Sequence, residues 1–134
     1  MKEIILKNDN SEVKIDSNLT YYLFSFFFLE FLDKTQERKM LIISNDEINN
    51  LYNLLEAYLI KILNKWYKEP TEKELQKYSS RYEKIKLNTK VYKIDYRSSE
   101  IGRLIFLIFN VLKLLKESNL NDGKLSIYIK HDNE

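Results

Sequence analysis

The amino-acid sequence predicts an α+β domain, with a single small sheet of about four to five strands packed against three to four helices. Three observations point there. Short runs rich in Ile and Val occur near both ends of the chain, bounded by turn residues. Two long stretches repeat their apolar residues at three- and four-residue steps, the period of a helix face. Strand-like and helix-like segments follow one another without the regular alternation of a parallel α/β sheet.

The elements follow in order. Glu3 to Lys7 and Glu12 to Ile15 read as the two strands of an N-terminal hairpin. Asn8-Asp9-Asn10-Ser11 between them is turn chemistry, because Asn and Asp tolerate left-handed backbone and bond locally. Asp16 or Ser17 can cap a helix running to about Lys34, apolar on every side from Tyr21 to Leu32, and so a central helix. Lys39 to Ile43 is a further buried strand. Ser44 and Glu47 have the spacing of a capping box, in which hydroxyl and carboxylate satisfy two orphan amides. The helix that follows, from about Asp46 to Tyr67, turns Ile48, Leu51, Tyr52, Leu55, Leu59, Ile62, Leu63 and Trp66 to one face.

Pro70 ends that helix or starts the next, and Thr71 with Glu74 makes a second capping box. From Glu72 to Lys86 the pattern predicts a strongly charged helix with a narrow inward stripe of Leu75, Tyr78, Tyr82 and Ile85. Val91 to Tyr96 alternates as a half-buried strand, with Tyr92, Ile94 and Tyr96 on one face. Ser98 or Ser99 can cap a helix to roughly Glu117, with Ile101, Leu104, Ile105, Ile108, Leu112 and Leu115 inward. Asp122-Gly123 then turns into a last strand, Lys124 to Lys130.

At 134 residues the chain fits a single globular domain, 1–134, and 44% hydrophobic content argues against disorder. It has no cysteine, and its one histidine, His131, lies in an expected frayed tail. Thiol nucleophiles, Cys-based metal sites and a Ser–His pairing in the body of the domain are thereby removed. Gly102 and Gly123 are isolated, so there is no glycine-rich phosphate loop. Glu30 and Glu100 lie within apolar segments, but no carboxylate pairing is readable. The expectation is a protein that is not an enzyme and takes no cofactor and no metal.

The uncharged run Ser17 to Leu29 is shorter than the ~20 residues a membrane span needs. The apolar run after Met1-Lys2-Glu3 is too short for a signal peptide. A cytoplasmic chain without membrane contact is the expectation.

The formal charge of +2 hides an asymmetry, because residues 1–60 sum to −4 and residues 61–134 to +6. The basic excess lies in residues 61–97, where lysines and arginines interleave with Trp66, Tyr67, Tyr78, Tyr82, Tyr92 and Tyr96. Cations and aromatic rings bury large area while keeping polar handles, as binding hot spots do. The residues expected to bind a partner are Lys65, Lys68, Lys73, Lys77, Arg81 and Lys84, facing an acidic protein. Asp9 and Glu12 on the acidic hairpin are the alternative surface. The same cation–ring mixture suits phosphates and stacked bases, so a nucleic-acid-binding accessory protein is the second reading. In size, lack of catalytic residues and charged aromatic surface, the chain is similar in type to small bacterial immunity proteins and phage-encoded inhibitors. That resemblance implies a blocking role and supplies no site residue.

Overall fold

A computed structural model describes residues 2–15, 40–120 and 125–131. The expected aromatic helix from Asp16 to Lys34, with Glu30, and the expected turn at Asp122-Gly123 lie outside the described residues. In chain order the elements are β1 (Lys2–Lys7), β2 (Glu12–Ile15), β3 (Met40–Ile43), α1 (Asn45–Trp66), α2 (Glu72–Lys77), a 3-10 turn (Ser79–Arg81), β4 (Tyr82–Leu87), β5 (Lys90–Asp95), α3 (Glu100–Leu120) and β6 (Leu125–His131). They group into two compact units, one drawn from Met1–Glu56 and Asn110–Glu134, the other from Ala57–Phe109.

The first unit contains a four-stranded antiparallel sheet in the order β2-β1-β6-β3. The registers Ile4 with Ile15, Leu6 with Ile127 and Ile43 with Leu125 put these apolar residues on one face. All six are buried, together with Ile48, Leu51 and Leu55 of α1 and Val111, Leu112, Leu114 and Leu115 of α3. The hairpin turn forms as its residue types suggest, and Asn8 carries it. Asn8 Oδ1 accepts from the amides of Asn10 (2.8 Å) and Ser11 (2.6 Å). Its amide nitrogen donates to Ser118 Oγ at 3.1 Å, and Ser118 Oγ donates to Leu114 O at 2.8 Å. A buried amide side chain thus has partners on both of its ends, which offsets its desolvation. His131, expected in a frayed tail, instead closes β6 opposite Lys2, because the strand continues to the end of β1.

The second unit holds a two-stranded antiparallel sheet of β4 and β5. The expected single sheet is therefore two sheets, and the described helices number three. The expected helix to Lys86 is also corrected. It ends at Lys77, and Tyr78 and Tyr82 flank a 3-10 turn. Ser79 and Ser80 offer the backbone local hydrogen bonds that compete with helix. From Tyr82 the period changes to two, with Ile85 and Leu87 buried between exposed Lys84 and Lys86. Asn88, at φ 57°, reverses the chain, in a region that Asn enters more readily than other side chains. The stripe Leu75–Tyr78–Tyr82–Ile85 deceives because Ile85 fits both a helical and a strand spacing.

Both capping boxes form. Ser44 Oγ accepts from Glu47 N at 3.3 Å, and Thr71 Oγ1 accepts from Glu74 N at 3.2 Å. At the start of α3 the alternative resolves to Ser99, whose Oγ accepts from Gly102 N at 3.0 Å. The first turn of α3 comes so close to β5 that a Cβ on Gly102 would lie 1.8 Å from the carbonyl oxygen of Asp95. Glycine is required there by close approach of backbone.

Candidate functional site

The basic aromatic segment coincides with the second unit. Residues 57–109 carry twelve Lys/Arg and six Asp/Glu, a net of +6, leaving −4 for the rest of the chain. Within it, aromatic rings meet cations at short range. Lys65 Nζ lies 5.1 Å from the Trp66 ring centroid. The Arg81 guanidinium lies 4.1 Å from the Tyr78 ring, and Lys77 Nζ 5.3 Å from the same ring. Lys90 approaches Tyr92 at 5.1 Å and Arg97 approaches Tyr96 at 5.4 Å. All five distances are within the range where the ring quadrupole attracts a cation.

Local structure produces these pairs. The Thr71 capping box sets the start of α2, and Tyr78 ends the helix by donating its amide to Glu74 O at 2.8 Å. The 3-10 turn then brings Arg81 back over the ring that Lys77 already approaches. Tyr92 and Tyr96 also meet other rings, from the residue just after α1 and from α3. Tyr67 meets Tyr92 edge-on at 4.9 Å, and Phe106 meets Tyr96 at 5.2 Å.

The residues expected to bind a partner are distributed as follows. Lys65, Lys68, Lys73, Lys77 and Lys84 are exposed, and Arg81 is half-buried. Lys77 and Arg81 are brought together at Tyr78. Lys73 shares α2 with Lys77, Lys65 and Lys68 lie at the end of α1 and just beyond it, and Lys84 lies on β4. Trp66 ends the apolar stripe of α1, yet it is 56% exposed, so it is a surface ring rather than a core one. In the first unit, Asp9 is exposed on the hairpin turn, and Glu12 pairs with Lys14 at 3.5 Å. A carboxylate with its own lysine on the same strand is a weaker candidate for a partner's cation.

A cleft of 320 Å³ opens in the second unit beside Trp66, Tyr67, Glu74, Tyr82, Asp95 and Gly102. Burial alone would raise the Asp95 pKa, but bonds from Ser98 Oγ, Ser98 N and Arg97 N outweigh it. With the nearby charge of Arg81 they hold this carboxyl below its ordinary value. Burial pushes the Tyr82 phenol up, helped by the negative charges of Glu74 and Asp95. Asp95 accepts three hydrogen bonds and so organises the β5–α3 turn.

Lys86, Lys90, Lys93 and Val91 were not in the expected partner-binding set. The signal that would have found them was Asn88-Thr89 between two alternating runs, which marks a hairpin. Among the described residues no group of three or more His, Cys, Asp or Glu side chains is placed to hold a metal ion. No helix among them is long and apolar enough to cross a membrane. The chain matches no known protein family, no curated protein and no solved structure.

Proposed function

We propose that this chain is a non-catalytic binding protein that neutralises a partner protein with an acidic surface, as a toxin-immunity protein or a phage-type inhibitor does. One observation carries the reading: a unit of net charge +6 in which Trp66, Tyr78, Tyr92 and Tyr96 each have a lysine or arginine over the ring. Rings held by cations are pre-organised and bury area at little entropic cost, as hot-spot residues do. Lys65, Lys68, Lys73, Lys77, Arg81 and Lys84 steer the partner, and the absence of cysteine from the whole chain suits a reducing cytoplasm.

The exposed Trp66 beside Lys65 favours the second reading, a nucleic-acid-binding accessory protein, because a free ring face can stack on a base. Tyr78, Tyr92 and Tyr96 argue the other way, since each is half-buried and has a second neighbour at its ring, Lys77, Tyr67 and Phe106 respectively. The test is titration with generic single- and double-stranded nucleic acid at low and high salt, alongside the variant Lys77→Glu/Arg81→Glu. Phosphate binding weakens steeply with salt, whereas a protein interface with an aromatic centre loses less. Absence of nucleic-acid binding is expected. Tight, salt-sensitive binding that the double variant loses replaces the neutraliser reading with the second one.

A further inference from the structure

We infer that the open edge of β4 and the solvent-facing side of the β4–β5 hairpin form a docking site for an acidic, extended polypeptide segment, which adds as a strand beside β4. The inference rests on the neutraliser reading and specifies how the partner is held.

The hydrogen-bond pattern shows which edge no described strand covers. Arg81 O accepts from Tyr96 N at 3.1 Å, so this pair and every second pair along the hairpin are the hydrogen-bonded ones. Those are Glu83 with Ile94, Ile85 with Tyr92 and Leu87 with Lys90. Lys84 and Lys86 lie between them, so their N–H and C=O groups point away from β5. On the opposite edge the outward amide of Lys93 is already used, donating to the Tyr67 hydroxyl at 3.1 Å. The sheet contains only β4 and β5, so no described strand covers the outer edge of β4.

Charge identifies the occupant. Ile85, Leu87 and Ile94 are buried on one face of the hairpin. The other face carries Lys84, Lys86 and Lys93, with Val91 beside them at 49% exposure, and ends at the pair Tyr82 and Asp95, whose carboxylate is taken up by Arg97 and Ser98. Lys84 stands directly opposite Lys93 in a pair without mutual hydrogen bonds, where side chains come closest. Like charges so placed destabilise a sheet. Among the described residues none of these three lysines has an ion-pair partner. A two-stranded sheet can ill spare that stability. Carboxylates from an added strand would remove the repulsion, and strand addition is a recurrent way to bind an extended peptide. The same lysines repel a second copy of this basic edge, so they select by charge as well as attract.

The test uses the full chain and a short labelled peptide of alternating Glu and Val, followed by fluorescence anisotropy and by amide exchange. Binding is expected, with the exchange of the Lys84 and Lys86 amides slowed about tenfold or more in the complex. In Lys84→Glu/Lys86→Glu the affinity should fall about tenfold or more. Without any peptide, Lys84→Glu alone should slow exchange at Ile85 about two- to fivefold, because an opposite charge now faces Lys93. Unchanged or faster exchange there would overturn the like-charge argument. Failure of the peptide to bind, or binding that leaves the Lys84 and Lys86 amides unprotected, would overturn strand addition. Peptide binding lost in Lys77→Glu/Arg81→Glu but kept in Lys84→Glu/Lys86→Glu would refute this site while leaving the neutraliser reading intact. Tighter binding of an oligothymidylate of equal charge would defeat both.

Discussion

The two units of this chain solve the same problem with different materials. The first builds a four-stranded sheet from runs of Ile, Leu and Val, and Ile4, Leu6, Ile15 and Ile127 in it are 1% exposed or less. Its charge is net negative. The second has only a two-stranded hairpin, which is marginal by itself. That hairpin is tied to its surroundings by specific contacts: Tyr67 to Tyr92 and to the Lys93 amide, Tyr96 to Phe106, and Gly102 against Asp95. The charge of this unit is net positive, and five of its twelve lysines and arginines lie over aromatic rings. The difference shows that net charge and aromatic surface divide between the units as the sheets do. The unit with the smaller sheet carries the basic aromatic surface.

The sharpest way to break the comparison is at Gly102. Gly102→Ala should cost about 4 kcal/mol or more, because its Cβ meets backbone that has no flexible end to yield. Amide exchange over β4 and β5 should accelerate in this variant. Exchange at the native rate there would show that the hairpin does not depend on its approach to α3.

Leu55→Ala is the counterpart in the first unit. Leu55 is fully buried, and its truncation should cost about 2–5 kcal/mol in a denaturant melt. A melt indistinguishable from wild type would show that the apolar core of this unit is not its source of stability.

A smaller effect is expected at the hairpin turn. Asn8→Ala removes the acceptor of two backbone amides and leaves Ser118 without that donor, for about 1–3 kcal/mol. Asp9→Ala beside it should be near neutral, since Asp9 is exposed. If the two substitutions prove equal, Asn8 is not the anchor.

The smallest effect sharpens the electrostatic side. The Asp95 carboxyl is held below its ordinary value in the folded chain, so the unfolded state binds its proton more readily. Its contribution to stability is therefore full above about pH 4 and is lost as pH falls through the lower folded value. Asp95→Asn should lower the urea midpoint at neutral pH and flatten its decline in acid. An unchanged acid decline would assign that decline to other carboxylates.

Much of this was legible in the residues. Asn8 to Ser11, the Ser44 and Thr71 capping boxes and the long stripes of α1 and α3 appear where local chemistry places them, because caps and turns act over three or four residues. The charge split was also readable, and it coincides with the two units. The stretch from Tyr78 to Leu87 was not. Its apolar spacing satisfied two periods at once, and the choice fell to the strand because β5 lay ready to pair with it. Trp66 continues a core stripe in sequence, yet as the last residue of α1 it is exposed.

The sequence by itself determined the class of the fold, the caps, the N-terminal hairpin and the basic aromatic character of residues 61–97. Each depends on neighbours a few residues apart, whose interactions do not wait for distant chain. The tertiary structure alone decided that the strands form two sheets, that Lys84 faces Lys93, that Arg81 covers Tyr78 and that Gly102 touches Asp95. Strand pairing is long-range, and a shift in register by one residue turns every side chain to the other face.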